Sequence, residues 1–137
     1  MMTTTSHFDC LEVVYGFFDA LDTNAHDRAL ALFAEDGVWE RQGKALEGHA
    51  AIKAALDARS PQRRTFHAIL NPVVSLRGEN QATVRFYLMA YEAHLDQDTP
   101  QPLAPIGIRR CEDRLVHDGQ AWRIARKSSQ AHLPAGR

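Results

Sequence analysis

Arg64-Thr65-Phe66-His67-Ala68-Ile69-Leu70-Asn71-Pro72-Val73-Val74-Ser75-Leu76, followed by Gly78-Glu79-Asn80 and then by Gln81 to Leu95, is the stretch that decides the fold. Both runs are rich in β-branched and aromatic residues, and a tight turn separates them, so they pair as two long antiparallel strands. Downstream, Pro100, Pro102 and Pro105 punctuate a loop. Ile106 to His117 and Ala121 to Lys127 then form a second hairpin about Asp118-Gly119. The residues from Ser128 to Arg137 read as a tail with little to pack.

Upstream of these strands the pattern is helical. Ser6 is placed to cap a helix that runs to about Asp22, with Phe8, Leu11, Val14, Tyr15, Phe18 and Leu21 recurring at spacings of three and four. Thr23-Asn24 ends it, and Asn24 with Asp27 suggests a cap and first-turn acid for a second helix carrying Leu30, Leu32 and Phe33. Val38 to Arg41 and Lys44 to Leu46 flank Gln42-Gly43 as a short hairpin that must pack on something else. A third helix runs from Ala50 to Arg59, after Gly48, and Ser60-Pro61 stops it. Helices first, then a run of antiparallel strands, predicts an α+β fold: a curved antiparallel sheet wrapped on three helices. Such a curve closes into a cone-shaped barrel whose internal pocket suits a small-molecule ligand.

The chain of 137 residues has the commonest size of a single domain, here with a core over about 6–127 and a flexible N-terminal start and C-terminal tail. Sixteen Lys plus Arg against seventeen Asp plus Glu give a formal charge of −1, which argues against nucleic acid and anionic membranes as partners. No apolar run reaches the roughly 20 residues of a membrane span. The opening Met1-Met2-Thr3-Thr4-Thr5-Ser6 lacks the basic and apolar segments of a secretory signal, and two cysteines make no disulfide framework, so a cytoplasmic location is expected.

Two residues break their local patterns. Asp22 falls on the edge of the apolar arc of the first helix, near a C-terminus whose dipole disfavours negative charge by roughly 0.3–1 kcal/mol. Either a partner compensates it or it bends to solvent as a helix-ending Asp. His67 shares a strand face with Thr65, Ile69 and Asn71, a mixture suited to a pocket wall. A carboxylate on one imidazole nitrogen would make it a general base; the alternative is a buried, hydrogen-bonded histidine. Alternation on the next strand puts Val84, Phe86, Leu88 and Ala90 on one face with Glu92 at its end. On the strand after, Cys111 and Asp113 share a face with Arg109. The seven histidines show no metal-ligand spacing, and Gly-x-Gly-x-x-Gly, Gly-x-Ser-x-Gly and phosphate-loop motifs are missing from the sequence, so neither a metal nor a cofactor is expected.

Tyr15-Gly16-Phe17-Phe18-Asp19-Ala20-Leu21-Asp22, Ala29 to Glu40, Glu47-Gly48-His49-Ala50-Ala51-Ile52 and Cys111-Glu112-Asp113-Arg114-Leu115-Val116 with Gly119 and Trp122-Arg123-Ile124 resemble the nuclear transport factor 2-like superfamily, in its SnoaL-like branch. The resemblance spans roughly Phe8 to Lys127 and implies the cystatin-like cone. One such scaffold carries polyketide cyclases, dehydratases, isomerases, ring-hydroxylating dioxygenase small subunits and non-catalytic modules. The Tyr and Asp of ketosteroid isomerases fall at Phe17 and Arg41 here, so that chemistry is not implied. Asp22 and His67 match the Asp and His of scytalone dehydratase and hexachlorocyclohexane dehydrochlorinase. Where the dehydratase has a second His, this chain has Glu92, and its later polar residues fall near Arg109 and Cys111.

The resemblance therefore implies a lyase or isomerase in which His67 removes a proton and Asp22 orients it, acting on a small apolar cyclic substrate. Tyr15, Phe18, Trp39 and Phe86 are expected around that substrate, with Leu88, Glu92, Cys111 and Asp113. A binding module and a dioxygenase small subunit are the alternatives. The outer sheet face, with Tyr87, Met89 and Tyr91 beside Arg85, is expected to form a homodimer.

Overall fold

The computed structural model describes residues 4–135. Three helices, α1 (Thr4–Asp22), α2 (His26–Ala31) and α3 (Gly48–Asp57), accompany six strands: β1 (Phe33–Arg41), β2 (Lys44–Glu47), β3 (Arg63–Arg77), β4 (Gln81–His94), β5 (Gly107–His117) and β6 (Trp122–Leu133). They form one sheet in the order β2-β1-β6-β5-β4-β3, so the α+β class holds and β3 to β6 make the expected meander. One pairing departs from the all-antiparallel expectation. β1 runs parallel to β6, with Trp39 opposite Lys127. That contact is what the short β1–β2 hairpin packs on. Its turn is the two-residue kind, with Gln42 at φ 53° and Gly43 at φ 74°.

The core lies between α1 and the inner sheet face. Phe17 is its hub, meeting Phe18, Phe33 and Trp39 edge to face at centroid distances of 5.2, 5.7 and 5.3 Å. Burying a side chain of this kind contributes roughly 1.5–3 kcal/mol, with a further increment from each edge-to-face pair. The buried face of α1 is Cys10, Val13, Val14, Phe17, Phe18 and Leu21. This corrects the expected stripe. Phe8 and Tyr15 are 62% and 41% exposed, because the helix turns Phe17 and Cys10 inward.

Several boundaries also differ. α1 already begins at Thr4, so Ser6 lies inside its first turn and not at the position before it. Ala25, not Asn24, stands at the N-cap of α2, and Asn24 instead takes a left-handed turn conformation at φ 57°. Phe33 belongs to β1, where Gly37 lets the strand bulge against β6: a Cβ there would sit 2.8 Å from the Ile124 carbonyl oxygen. The expected C-terminal tail is wrong as far as Leu133. Ser128 to Leu133 continue β6 and pair with β5, a strand held by ladder hydrogen bonds more than by apolar burial. Among the described residues no helix is long and apolar enough to cross a membrane.

Candidate functional site

Asp22 is the last residue of α1 and His67 lies near the start of β3, which packs across that helix end. The Asp22 carboxylate accepts three hydrogen bonds there: from Thr65 Oγ1 at 2.8 Å, from the His67 backbone amide at 2.9 Å and from His67 Nδ1 at 2.7 Å. These donors offset the unfavourable helix dipole. Since a carboxylate only accepts, Nδ1 carries the imidazole proton, and Nε2 keeps its lone pair on the ring edge away from Asp22. Both side chains are largely buried, 11% exposed for His67 and 18% for Asp22. Burial pushes the His67 pKa below 6.5, and the nearby Arg59 and Arg63 charges act the same way against the opposing pull of Asp22. His67 is thus neutral near pH 7, the state a proton acceptor requires.

His67 lines a cavity of about 280 Å³. Its apolar wall includes Phe17, Phe18, Leu21, Trp39, Leu88 and Ala90, and the His67 imidazole lies 5.0 Å from the Phe18 ring, centroid to centroid. At the deep end, Asp113 and Lys127 form a buried ion pair at 2.8 Å. The Lys127 ammonium also lies 4.4 Å from the Phe17 ring centroid and 4.5 Å from that of Phe18, so its charge is stabilised by aromatic faces as well as by Asp113. Burial pushes the Asp113 carboxyl up in pKa, against the pull of Lys127. Toward the rim the lining becomes cationic, with Arg41, Arg59, Arg63 and Arg109. Wider hollows of about 470 and 680 Å³ share Arg85 and Glu112 on the outer sheet face, and neither is lined by Asp22 or His67.

Of the residues expected around a substrate, Phe18, Trp39, Leu88, Cys111 and Asp113 line the cavity. Three do not. Tyr15 is on the exposed side of α1. Phe86 is 2% exposed and sits behind Phe18, edge to face at 6.0 Å. Glu92 points to Arg63, 2.7 Å away, and stays at the rim. The β5 face that turns inward carries Arg109, Cys111 and Asp113. Cys10 and Cys111 are free thiols, each pushed up to about 11 chiefly by burial, which keeps them protonated. Among the described residues no group of three or more His, Cys, Asp or Glu is gathered as a metal site.

Sequence reasoning missed Lys127 and the rim arginines Arg41, Arg59 and Arg63. Lys127 carried no usable signal, because alternation from Trp122 and Ile124 places it on the outer face, where a lysine is ordinary. A bulge in β6 at Ala125, opposite Arg114 and Leu115, reverses the phase and turns Lys127 inward.

The sequence model of the SnoaL-like domain matches residues 3–128. No match is found among curated proteins. Among solved structures, the chain is similar to a candidate aromatic ring hydroxylase of Novosphingobium aromaticivorans, at TM-score 0.82 and 18% identity over 98% of this chain and 94% of that one. It is also similar to a candidate scytalone dehydratase of the same organism, at TM-score 0.78 and 21% identity over 94% of this chain and 85% of that one. ActVI-ORFA of Streptomyces coelicolor gives TM-score 0.76 and 17% identity over 93% of this chain and 98% of that one. At these identities the likeness concerns the fold, described for other neighbours as cystatin-like and NTF2-like.

Proposed function

The chain belongs to the SnoaL-like domain family, and from that premise we propose that it is a proton-abstracting enzyme of the lyase or isomerase type, acting on a small, mostly apolar cyclic molecule. His67 Nε2 takes a proton from a carbon next to a carbonyl group. The C–H electron pair moves into the carbonyl as an enolate, while Asp22 stabilises the imidazolium and holds it in place. The enolate then expels a leaving group, which departs with the proton from His67, or it is reprotonated at another carbon. The first course is a dehydration or elimination, the second an isomerisation.

The observation that carries this reading is the 2.7 Å Asp22–His67 contact, in which Asp22 stands behind an imidazole that lines the cavity beside its apolar wall. The chemistry needs a neutral, oriented imidazole facing an enclosed space, and burial supplies the neutrality. Deuterium exchange tests it without knowledge of the natural substrate. In D₂O the protein is expected to speed exchange of the α-protons of 2-tetralone, a small cyclic ketone, as followed by proton NMR. His67→Gln should remove that acceleration. Equal exchange by the folded His67→Gln protein would overturn the reading.

A further inference from the structure

Arg41, Gln42, Arg59 and Arg63 line the cavity described above and also an adjoining groove of about 430 Å³, so they form the partition between the two. Three different elements bring them together: Arg41 ends β1 before its tight turn, Arg59 follows α3, and Arg63 opens β3. The Arg41 guanidinium lies 4.8 Å from the Trp39 ring centroid. Arg59 donates to Thr65 Oγ1 at 3.3 Å, but its buried Nε has no partner. Arg63 donates to Glu92 at 2.7 Å.

Nearby carboxylates neutralise this group only in part, through the Arg63–Glu92 pair. Asp22 is engaged by three donors of Thr65 and His67, Glu92 by Arg63, and Glu40 by Arg126. Among the described residues no carboxylate lies within ion-pair distance of Arg41 or Arg59. Half burial and mutual repulsion hold both guanidinium groups below their ordinary pKa range, with Arg63 acting on each and Arg41 on Arg59, against the opposing pull of Asp22 and Glu92 on Arg59. Clustered, desolvated like charges cost folding free energy, and an arriving anion relieves that cost. Guanidinium groups match a planar carboxylate through paired N–H donors. Glu92 at the rim favours a single negative charge over a phosphate dianion.

We propose that Arg41 and Arg59, with Arg63 beside them, are the seat for a carboxylate on the substrate, which is therefore a cyclic carboxylic acid. Its ring lies along Phe18, Trp39 and Leu88, with the acid group at the partition and the reactive carbon toward His67. The assignment names the substrate class of the site proposed above and rests on that reading. It also couples the two parts of the site: a bound carboxylate offsets the Arg59 and Arg63 charges that act on His67, and so makes the imidazole more basic once substrate is in place.

Calorimetric titration with 2-naphthoate and its uncharged analogue 2-naphthamide tests the seat. The native protein should bind the acid at least about tenfold more tightly, the size of one or two charge-assisted hydrogen bonds. Arg41→Gln and Arg59→Gln should each reduce that preference while leaving naphthamide binding in place. By NMR, naphthoate should raise the His67 titration and naphthamide should not. Equal affinity for acid and amide, absence of naphthoate binding, or a preference intact in both variants would overturn the seat. Native protein that exchanges 2-tetralone yet treats acid and amide alike would sink the seat and leave proton abstraction standing. A preference retained in protein that exchanges nothing would do the reverse.

Discussion

Asp22 holds His67 at two points, accepting from its backbone amide with one carboxylate oxygen and from its imidazole Nδ1 with the other. The strand and the side chain are therefore fixed by a single group. An amide at position 22 offers one acceptor where the carboxylate offers two. If His67 is the base, His67→Gln lowers the rate of catalysed exchange by about 10²–10⁴. Asp22→Asn should also lower it, with the fold retained by circular dichroism. Rates within a factor of about two of the native protein in both variants would count against the pair.

The depressed pKa of His67 sets the sign of two pH effects. Activity should fall on the acid side through a limb placed below pH 6.5, and Arg59→Gln should move that limb upward by removing a nearby positive charge. Stability should fall in the same window. Below about 6.5 the unfolded chain takes up a proton at this position before the folded one does, so unfolding is favoured as pH drops from 6.5 toward the lower folded value. The chain has seven histidines, so the measurement is the difference between native protein and His67→Gln in urea unfolding at several pH values. A difference that does not vary with pH would contradict the assignment.

Asp113 and Lys127 are 0% and 6% exposed, so removing one strands the other in a medium that solvates it poorly. Asp113 Oδ1 already lacks a hydrogen-bond partner. Lys127→Met or Asp113→Leu alone should cost about 3–5 kcal/mol in chemical denaturation, whereas the double variant should cost less than either single one. Additive losses would mean that the pair does not act as a unit.

The outer sheet face collects Phe66, Leu70, Tyr87, Met89 and Tyr91 at one end, with Phe66 58% and Leu70 37% exposed. Arg85, Arg110, Glu112 and Arg114 continue it as a charged half of both signs. We propose that two copies pair through this face and bury at least about 1,000 Å². Light scattering at micromolar concentration should give twice the chain mass of 15.4 kDa. Phe66→Arg should return it to the monomer value, and a monomeric native protein would refute the pairing.

The meander was legible because β3 and β4 carry long apolar-aromatic runs on either side of a glycine turn, a signal that depends on neighbours in sequence. Asp22 and His67 were legible as exceptions, an acid on an apolar arc and a polar group on a mixed face. The rim arginines were not. Arg41, Arg59 and Arg63 each look like ordinary surface charges at an element end, and only tertiary structure brings them together. The end of β6 was hidden for another reason: Ser128, Ser129 and Gln130 offer backbone hydrogen bonds and little apolar surface, so composition resembles a loop. On α1, Tyr15 and Phe17 are comparably apolar, and the choice of which faces the core belongs to the sheet beneath.

The parallel pairing of β1 with β6 has a consequence for the order in which the protein can mature. Trp39 meets Lys127 across a chain separation that spans most of the domain, so this ladder closes a long loop and carries a high entropic cost until the meander is in place. Helices α1 to α3 and the β3–β4 hairpin can bring Asp22 to His67 before β6 joins the sheet. The cavity cannot be complete then, because Lys127 and Ser129 belong to the final strand. A partly folded chain would hold its dyad in an open half-shell with Phe17 and Trp39 uncovered, which makes the arrival of β6 both the sealing step and the moment of greatest exposure to aggregation.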